Sequence, residues 1–352
     1  MEQSVGASVY AGRIARTLNN GFTALMISIG HRTGLFDTLA ALPPATSEQI
    51  ASRAGLTERY VREWLAAMTS AHIVNYDART ATYFLPIEYA AVLSRGADAN
   101  NLAPAARLVS LLAQVEDLVV AGFRGGGGVM PEAYDALNEV VSAEKRALVG
   151  ESYVDALLEL VPGLRMQLEL GAHVLDAGCG DGALLLTMAR MFPCSTFRGC
   201  DFSREAIARA SQAAADTGLE NISFFAADLA TLDQPRTYDL VLAFDTIHEQ
   251  AFPYEVLRNL AASLRRDGVF VMQEIAVSSH LLPASEHPFA PMLFAWSAMH
   301  SVPVAMSQGG EALGRMWGQE RASKLLSQAG FRNVRFDSID DAGVTCVAIA
   351  EI

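Results

Sequence analysis

Thr246-Ile247-His248-Glu249-Gln250 sets a histidine beside a carboxylate directly after an apolar run, Tyr238 to Asp245. An imidazole with an ordinary pKa of about 6.5 takes up a proton near neutral pH, and a nearby carboxylate can orient it. His248 is therefore the candidate base and Glu249 its acidic neighbour. A histidine that caps the next helix or touches a cofactor is the other reading. Upstream, Val174-Leu175-Asp176-Ala177-Gly178-Cys179-Gly180-Asp181-Gly182 spaces three glycines at alternate positions after a short apolar run. Asp201 follows Gly178 by 23 residues, close to the spacing at which an acid reaches ribose hydroxyls. Phe202 can lie against an adenine face, and Asp228, with Leu229 beside it, can accept from an adenine amino group. Phe244 closes the fourth apolar run.

These residues need an open parallel sheet. His173 to Leu175, Thr196 to Asp201, Ile222 to Ala226, Tyr238 to Asp245 and Val269 to Met272 read as successive strands. Asp176, Asp201, Asp228 and Asp245 then stand at the ligand end, where such sheets bind small molecules. The amphipathic run Ala183 to Met191 reads as the helix after the glycine turn. Gly178-x-Gly180-x-x-Ala183 also fits the dinucleotide fingerprint, whose helix N-terminus holds a pyrophosphate. Asp176 and Asp181 flank this loop with negative charge, which disfavours phosphates and suits the ammonium and sulfonium of S-adenosylmethionine (SAM). A plain glycine turn would carry the same glycines.

With these pieces the chain resembles the class I SAM-dependent methyltransferases, on VLDAGCGDG, GCDFS, FFAADL, YDLVLAFDTIHEQ and LRRDGVFVMQE. The resemblance covers roughly residues 160 to 352. It implies a Rossmann-like α/β fold with a seven-stranded sheet and an antiparallel last strand. Phe331 to Ile339 and Val344 to Ile352, joined at Asp340-Asp341-Ala342-Gly343, read as the closing hairpin. The resemblance implies Asp176, Gly178, Gly180, Asp201, Phe202, Asp228, Leu229 and Phe244 as cofactor contacts, with S-adenosylhomocysteine (SAH) as product. His248-Glu249-Gln250 resembles the "HDW" segment of plant winged-helix O-methyltransferases, whose histidine is the catalytic base. Gln250 replaces the tryptophan.

Length and composition agree. The 352 residues suit about two domains, 51% are hydrophobic and only 18% charged. No run is apolar enough to span a bilayer and no leader is evident, so a soluble cytoplasmic protein is expected. Cys179, Cys194, Cys200 and Cys346 lack metal-type spacing and read as reduced core residues. A net charge of −13 disfavours nucleic acid.

Residues 1–100 read as a mainly helical winged-helix domain. Ala24 to Leu42 has a helical stripe of Leu25, Ile29, Leu35, Phe36 and Leu39. Thr46-Ser47-Glu48-Gln49 caps a second helix ended by Gly55, and Thr57 opens a third carrying Val61, Trp64, Leu65 and Met68. Ile73 to Tyr76 and Thr82 to Leu85 form a hairpin. The third helix balances Arg59 and Arg62 with Glu58 and Glu63, which argues against DNA. The resemblance to winged-helix O-methyltransferases implies instead that this domain serves homodimerisation and helps close a substrate pocket.

Residues 101–160 read as a helical linker with a glycine run, Gly125 to Gly128, as hinge, lid or ordinary loop. Residues 161–352 form the SAM-binding domain. Within it, residues 280–318 crowd aromatics, methionines and prolines. His287, Trp296, His300, Met306 and Trp317 are candidate pocket residues for a flat, apolar acceptor, unless they pack at a dimer seam. No carboxylate or cysteine partner shows metal-ligand spacing, so no metal is expected. The expected function is O-methylation of a small, largely hydrophobic hydroxyl compound. A SAM-binding regulator, an N-methyltransferase and a nicotinamide oxidoreductase are the alternatives.

Overall fold

Seven strands form the sheet that carries the chemistry: β3 (His173–Ala177), β4 (Thr196–Asp201), β5 (Ile222–Ala226), β6 (Tyr238–Phe244), β7 (Leu264–Ile275), β8 (Arg332–Asp337) and β9 (Thr345–Glu351). Their spatial order is β5-β4-β3-β6-β7-β9-β8. The first five run parallel, and β9 is antiparallel to both β7 and β8, as the family resemblance implies. The computed structural model describes residues 7–339 and 344–352, so Asp340 to Gly343 lie outside the described residues.

Strand side chains alternate between faces, which explains the unbroken apolar runs. Leu175, Val241, Ala243, Phe270 and Met272 bury on one face with Val256, Leu257 and Leu260 of the helix Pro253–Ser263. Val174, Leu240, Leu242 and Val271 bury on the other with Leu157 and Leu158 and with Leu185 and Met188. Those four come from the helices Glu151–Glu159 and Ala183–Met191. Between β3 and β6 the strand order reverses, so the loops that follow them leave in opposite directions and open a crevice.

The chain divides into two compact units, one ending at Gln114 and the other beginning at Val115. The expected linker 101–160 is thus split. Its helix Ala106–Ala113 belongs to the first unit, and the second starts with Glu116–Gly125, Asp135–Leu148 and Glu151–Glu159. Within the glycine run, Gly125 still belongs to a helix, and Gly128 is closely packed. A Cβ there would sit 2.0 Å from the Pro303 carbonyl oxygen, and the Val129 N–H donates to that same oxygen.

In the first unit, α1 (Ala7–Thr33), α2 (Leu35–Ala41), α3 (Ser47–Ala54) and α4 (Glu58–Ser70) precede the hairpin of β1 (Asn75–Asp77) and β2 (Thr82–Phe84). Thr46 and Gln49 form a reciprocal capping box at α3. Val61, Trp64, Leu65 and Met68 bury against Leu35, Phe36 and Leu39, as their spacing predicts. The helix expected over Ala24 to Leu42 is instead broken at Gly34, which turns α2 away. The expected buried stripe is corrected in consequence: Leu25 is half-buried and Ile29 exposed. On α4, Arg59 pairs with Glu63 and Arg62 with Glu58.

Candidate active site

Parallel pairing brings the β3 and β6 loops together. Gly178 leaves β3 with φ 79°, and a Cβ there would lie 2.2 Å from Thr246 Oγ1. Only glycine allows that dihedral together with that approach. At Gly180 a Cβ would meet nothing within 4 Å. Asp201 ties the loop to β4: its carboxylate accepts from the Gly180 N–H at 2.9 Å and from the Ser203 N–H at 2.9 Å. Phe202, next along, is 57% exposed. Asp228 is exposed and caps a short turn by accepting from the Ala230 N–H at 2.8 Å. Leu229 is a correction. Its side chain is buried in the sheet core, because the turn capped by Asp228 points it inward. Phe244 is half-buried against the opposite core.

The charge on the loop also departs from expectation. Burial pushes the Asp176 carboxyl up to about 7, with nearby Asp201 adding to the effect and Lys145 opposing it. Asp181 is held by Arg146 at 2.9 Å, and Asp245 by Lys145 at 3.0 Å. Burial disfavours charge on Asp245, but Lys145 overcomes this and holds the carboxyl below its ordinary value. Asp245 keeps φ 52° and is fixed by its N–H donating to the Gln273 carbonyl at 2.9 Å. The cradle is therefore two-signed: acids on the strand ends face Lys145 and Arg146 from the helix Asp135–Leu148. Sequence spacing missed these cations because their partners are 35 or more residues away.

His248 is fully buried in a short turn, Ile247–Glu249, after β6. Its Nδ1 lies 2.6 Å from Glu274 Oε2, and its backbone N–H points to Glu274 Oε1 at 3.3 Å. Glu274 reaches it from the buried end of β7. The orienting carboxylate at Nδ1 is thus Glu274. Glu249 instead faces Nε2 at 3.4 Å and His300 Nδ1 at 3.2 Å. Neutral imidazole has one N–H, so two facing carboxylates favour the doubly protonated ring. Burial opposes that charge, but Glu274, with hydrogen bonds donated by the ring to both glutamates, outweighs it and lifts His248 to about 9. The only sequence sign of Glu274 was a lone acid ending an otherwise apolar strand.

The segment after β7 closes around this pair. The helix Ala290–Trp296 runs into a π-helical turn, Ser297–Ser301, that carries His300. Tyr134 meets the His300 ring edge-on at 4.6 Å and donates its hydroxyl to the Met299 carbonyl at 2.6 Å. Tyr153 donates to Gln273 beside Glu274. Gly314, at φ 75°, lets the following N–H of Arg315 donate to Ser297 Oγ at 3.0 Å; a Cβ at Gly314 would strike that oxygen. Arg315 then lies with Nη1 3.5 Å from His248 Nε2 and its guanidinium 4.6 Å above the Trp296 ring.

Trp296 and His300 are thus gathered at His248, and Arg315 joins them without having been singled out. Met306 is partly exposed on the helix Val302–Ser307. His287 lies tilted by 52° against Phe289, with ring centroids 6.2 Å apart, and lines a cavity of about 310 Å³ with Val277, Pro283 and Glu320. Among the described residues no hydrogen bond joins it to His248. Trp317 is a correction, since it lies in the core cluster with Ile247, Val256 and Leu257. An aromatic-rich stretch does not by itself separate pocket from core.

Residues 168–330 match the family model described as a methyltransferase domain, and residues 21–95 match the Rv2258c-like winged HTH domain. The chain carries a SAM-dependent methyltransferase domain. Over 112 residues the protein is 28% identical to (S)-tetrahydroprotoberberine N-methyltransferase of Eschscholzia californica, covering 32% of each chain. It spans about a third of the length of the first curated relatives it matches. In fold, it is similar to a putative O-methyltransferase from Nostoc punctiforme, with TM-score 0.74, 17% identity, and coverage of 99% of this chain and 100% of that one. It is also similar to mitomycin 7-O-methyltransferase, with TM-score 0.69, 17% identity, and coverage of 99% and 100%. At these identities the likeness concerns the methyltransferase fold with its helical N-terminal domain.

Proposed function

We propose that this methyltransferase domain moves a methyl group from SAM to a hydroxyl oxygen of a small, flat compound, with His248 as the base. The observation that carries the reading is the buried His248–Glu274 pair at the mouth of the β6 loop. Glu274 holds Nδ1, so Nε2 is the nitrogen that receives the acceptor's proton. When bound, the cofactor supplies a methyl group on a cationic sulfur. The acceptor oxygen would form the new C–O bond as the methyl–sulfur bond breaks, the electron pair staying on sulfur and SAH leaving, while the acceptor's proton passes to Nε2. Access to Nε2 requires Arg315 and Glu249 to draw apart, so loop opening accompanies acceptor entry.

The cradle fits such a cofactor. Gly180 leaves open space, Asp201 is already fixed to hold ribose hydroxyls, and exposed Phe202 is free to cover an adenine face with Asp228 near its amino group. A methionine end carries an ammonium and a carboxylate, and the two-signed surroundings of Asp176, Asp181, Lys145 and Arg146 offer a partner to each. A pyrophosphate would gain from the cations but meet four strand-end acids.

The winged-helix unit, in this reading, serves self-association. The intrahelical pairing of Arg59 and Arg62 leaves α4 without the free cations that phosphate contacts need. Two variants test the assignment by calorimetry with SAH and by methyl transfer from labelled SAM to a panel of phenols and amines. His248→Asn should bind SAH as wild type and lose at least about 100-fold in turnover. Asp201→Asn should lose SAH binding. Full turnover by the first variant on a phenol would overturn the base assignment, and amines as the only acceptors would overturn O-methylation.

A further inference from the structure

We propose that the methyl acceptor carries an ionised carboxylate that docks on the Arg315 guanidinium beside His248, so that the substrates are hydroxy-acids rather than neutral hydroxyl compounds. This rests on the methyltransferase reading above and deepens it.

Arg315 is buried, yet no carboxylate lies within hydrogen-bonding distance of its guanidinium among the described residues. Its nearest acid is Glu249 at 3.9 Å, and its nearest hydrogen-bonding neighbour is the His248 ring at 3.5 Å. Nε and Nη2 make no hydrogen bond to a described residue. The other charges around it already have closer partners: Glu274 takes His248, Asp245 takes Lys145, and Glu249 takes His300. A buried guanidinium held by an aromatic face, one long contact to an imidazole and a distant acid keeps most of its desolvation cost uncompensated. A second group in the cluster points the same way. The Trp296 Nε1–H is buried, has no acceptor, and belongs to the ring on which the guanidinium rests.

An incoming carboxylate satisfies both, because a guanidinium fork matches its two oxygens. It also arrives where the base sits. A hydroxyl one or two bonds from the acid's attachment point would then fall near Nε2. Gly314 and Ser297 fix the Arg315 backbone, so the charge is presented from a pinned position and not from a loose loop. Glu249 does not take this place, since its Oε1 lies closer to His300 Nδ1, at 3.2 Å, than to Arg315 Nη1, at 3.9 Å.

The test is calorimetric titration of the SAH-saturated protein with 1-hydroxy-2-naphthoate and with its neutral amide, a comparison that needs no variant and no turnover. The acid should bind roughly 20-fold more tightly than the amide, the scale of one charge-assisted contact. Arg315→Gln should bring the two within a few-fold of each other, and Arg315→Lys should keep an intermediate preference. SAH affinity checks that each variant is folded. Equal binding of acid and amide by wild type, no binding of either, or a preference that survives in Arg315→Gln would overturn the proposal. Tight acid binding without methyl transfer would leave the Arg315 site standing and refute the catalytic reading instead.

Discussion

Glu274 Oε2 stands 2.6 Å from His248 Nδ1, and the two residues reach each other from adjacent parallel strands, β7 and the turn after β6. Neither side chain has contact with bulk water to share its charge. The pair therefore behaves as a unit, and the proton affinity of the ring is set by the carboxylate behind it.

That coupling fixes the pH dependence of turnover. A base works when deprotonated, so the rate should climb with pH and level off above about 9, the value to which Glu274 and Glu249 lift His248 against its burial. Glu274→Gln removes the main opposing charge, and the limb should move acid by about 2 pH units toward the ordinary histidine value. Its plateau should fall about 10-fold or more because the ring is less firmly oriented. A limb that stays in place in this variant would show that another group controls the rate.

The same shift has a sign in stability. A folded-state pKa raised from 6.5 to about 9 contributes stability that is complete below pH 6.5 and lost as pH rises through about 9. Asp176, lifted to about 7, is mostly ionised by pH 7.5, whereas the buried thiols of Cys179, Cys200 and Cys346, raised by burial, also cost stability between pH 7.5 and 9.5 as the unfolded chain ionises its cysteines. The histidine's share over that window is about 2 kcal/mol, read as the difference between urea midpoints of wild type and of the double variant His248→Gln/Glu274→Gln, which should lose that much less. An equal fall in the two proteins would assign the effect elsewhere.

Much of this architecture was readable from local pattern. Val174 and Leu175, or Leu240 and Val241, sit on opposite faces of a sheet covered on both sides, so the strands showed as continuous apolar runs. Acids at their ends marked the crevice, and Thr46 with Gln49 announced a helix start. What stayed hidden was long-range pairing. Glu274 and Arg315 meet His248 across 26 and 67 residues, and Lys145 meets Asp245 across 100. Strand β7 begins at Leu264, ahead of the apolar run Val269 to Met272 by which the sequence marks it, with a register shift against β6 near its start. Trp317 and Leu229 show the other limit: composition set Trp317 at a pocket and the resemblance set Leu229 at the cofactor, while packing buries both side chains in the core.

Two glycines of one loop should respond oppositely to alanine. Gly178→Ala puts a methyl 2.2 Å from Thr246 Oγ1 at a dihedral alanine avoids, and should cost about 3 kcal/mol of stability. The melting temperature should fall by roughly 6–12 °C. At Gly180 the added methyl meets only open space, so the melting temperature should drop by much less, on the order of 1 kcal/mol of strain. SAH affinity should nevertheless fall steeply, because that space is where the cofactor is proposed to lie. Normal SAH binding by Gly180→Ala, measured by calorimetry, would move the cofactor away from this loop.

The last expectation concerns assembly. Tyr10, Ile14, Leu18 and Phe22 recur every fourth residue along α1, and Leu18 and Phe22 are 59% and 69% exposed. Residues at that spacing share one helix face, and a continuous apolar face of this length is uncommon on a lone chain. Burial of the same stripe on a second copy satisfies it without any new element, which is the physical ground for a homodimer. Leu18→Glu and Phe22→Glu together place two charges in the middle of that face. Light scattering should then report a mass near 37.7 kDa in place of twice that value. The α1 stripe lies in the first unit while every residue of the proposed base cluster lies in the second. Secondary structure and SAH binding should therefore survive in the variant. A wild-type protein that is already monomeric at micromolar concentration would remove the dimer and leave the stripe to another partner.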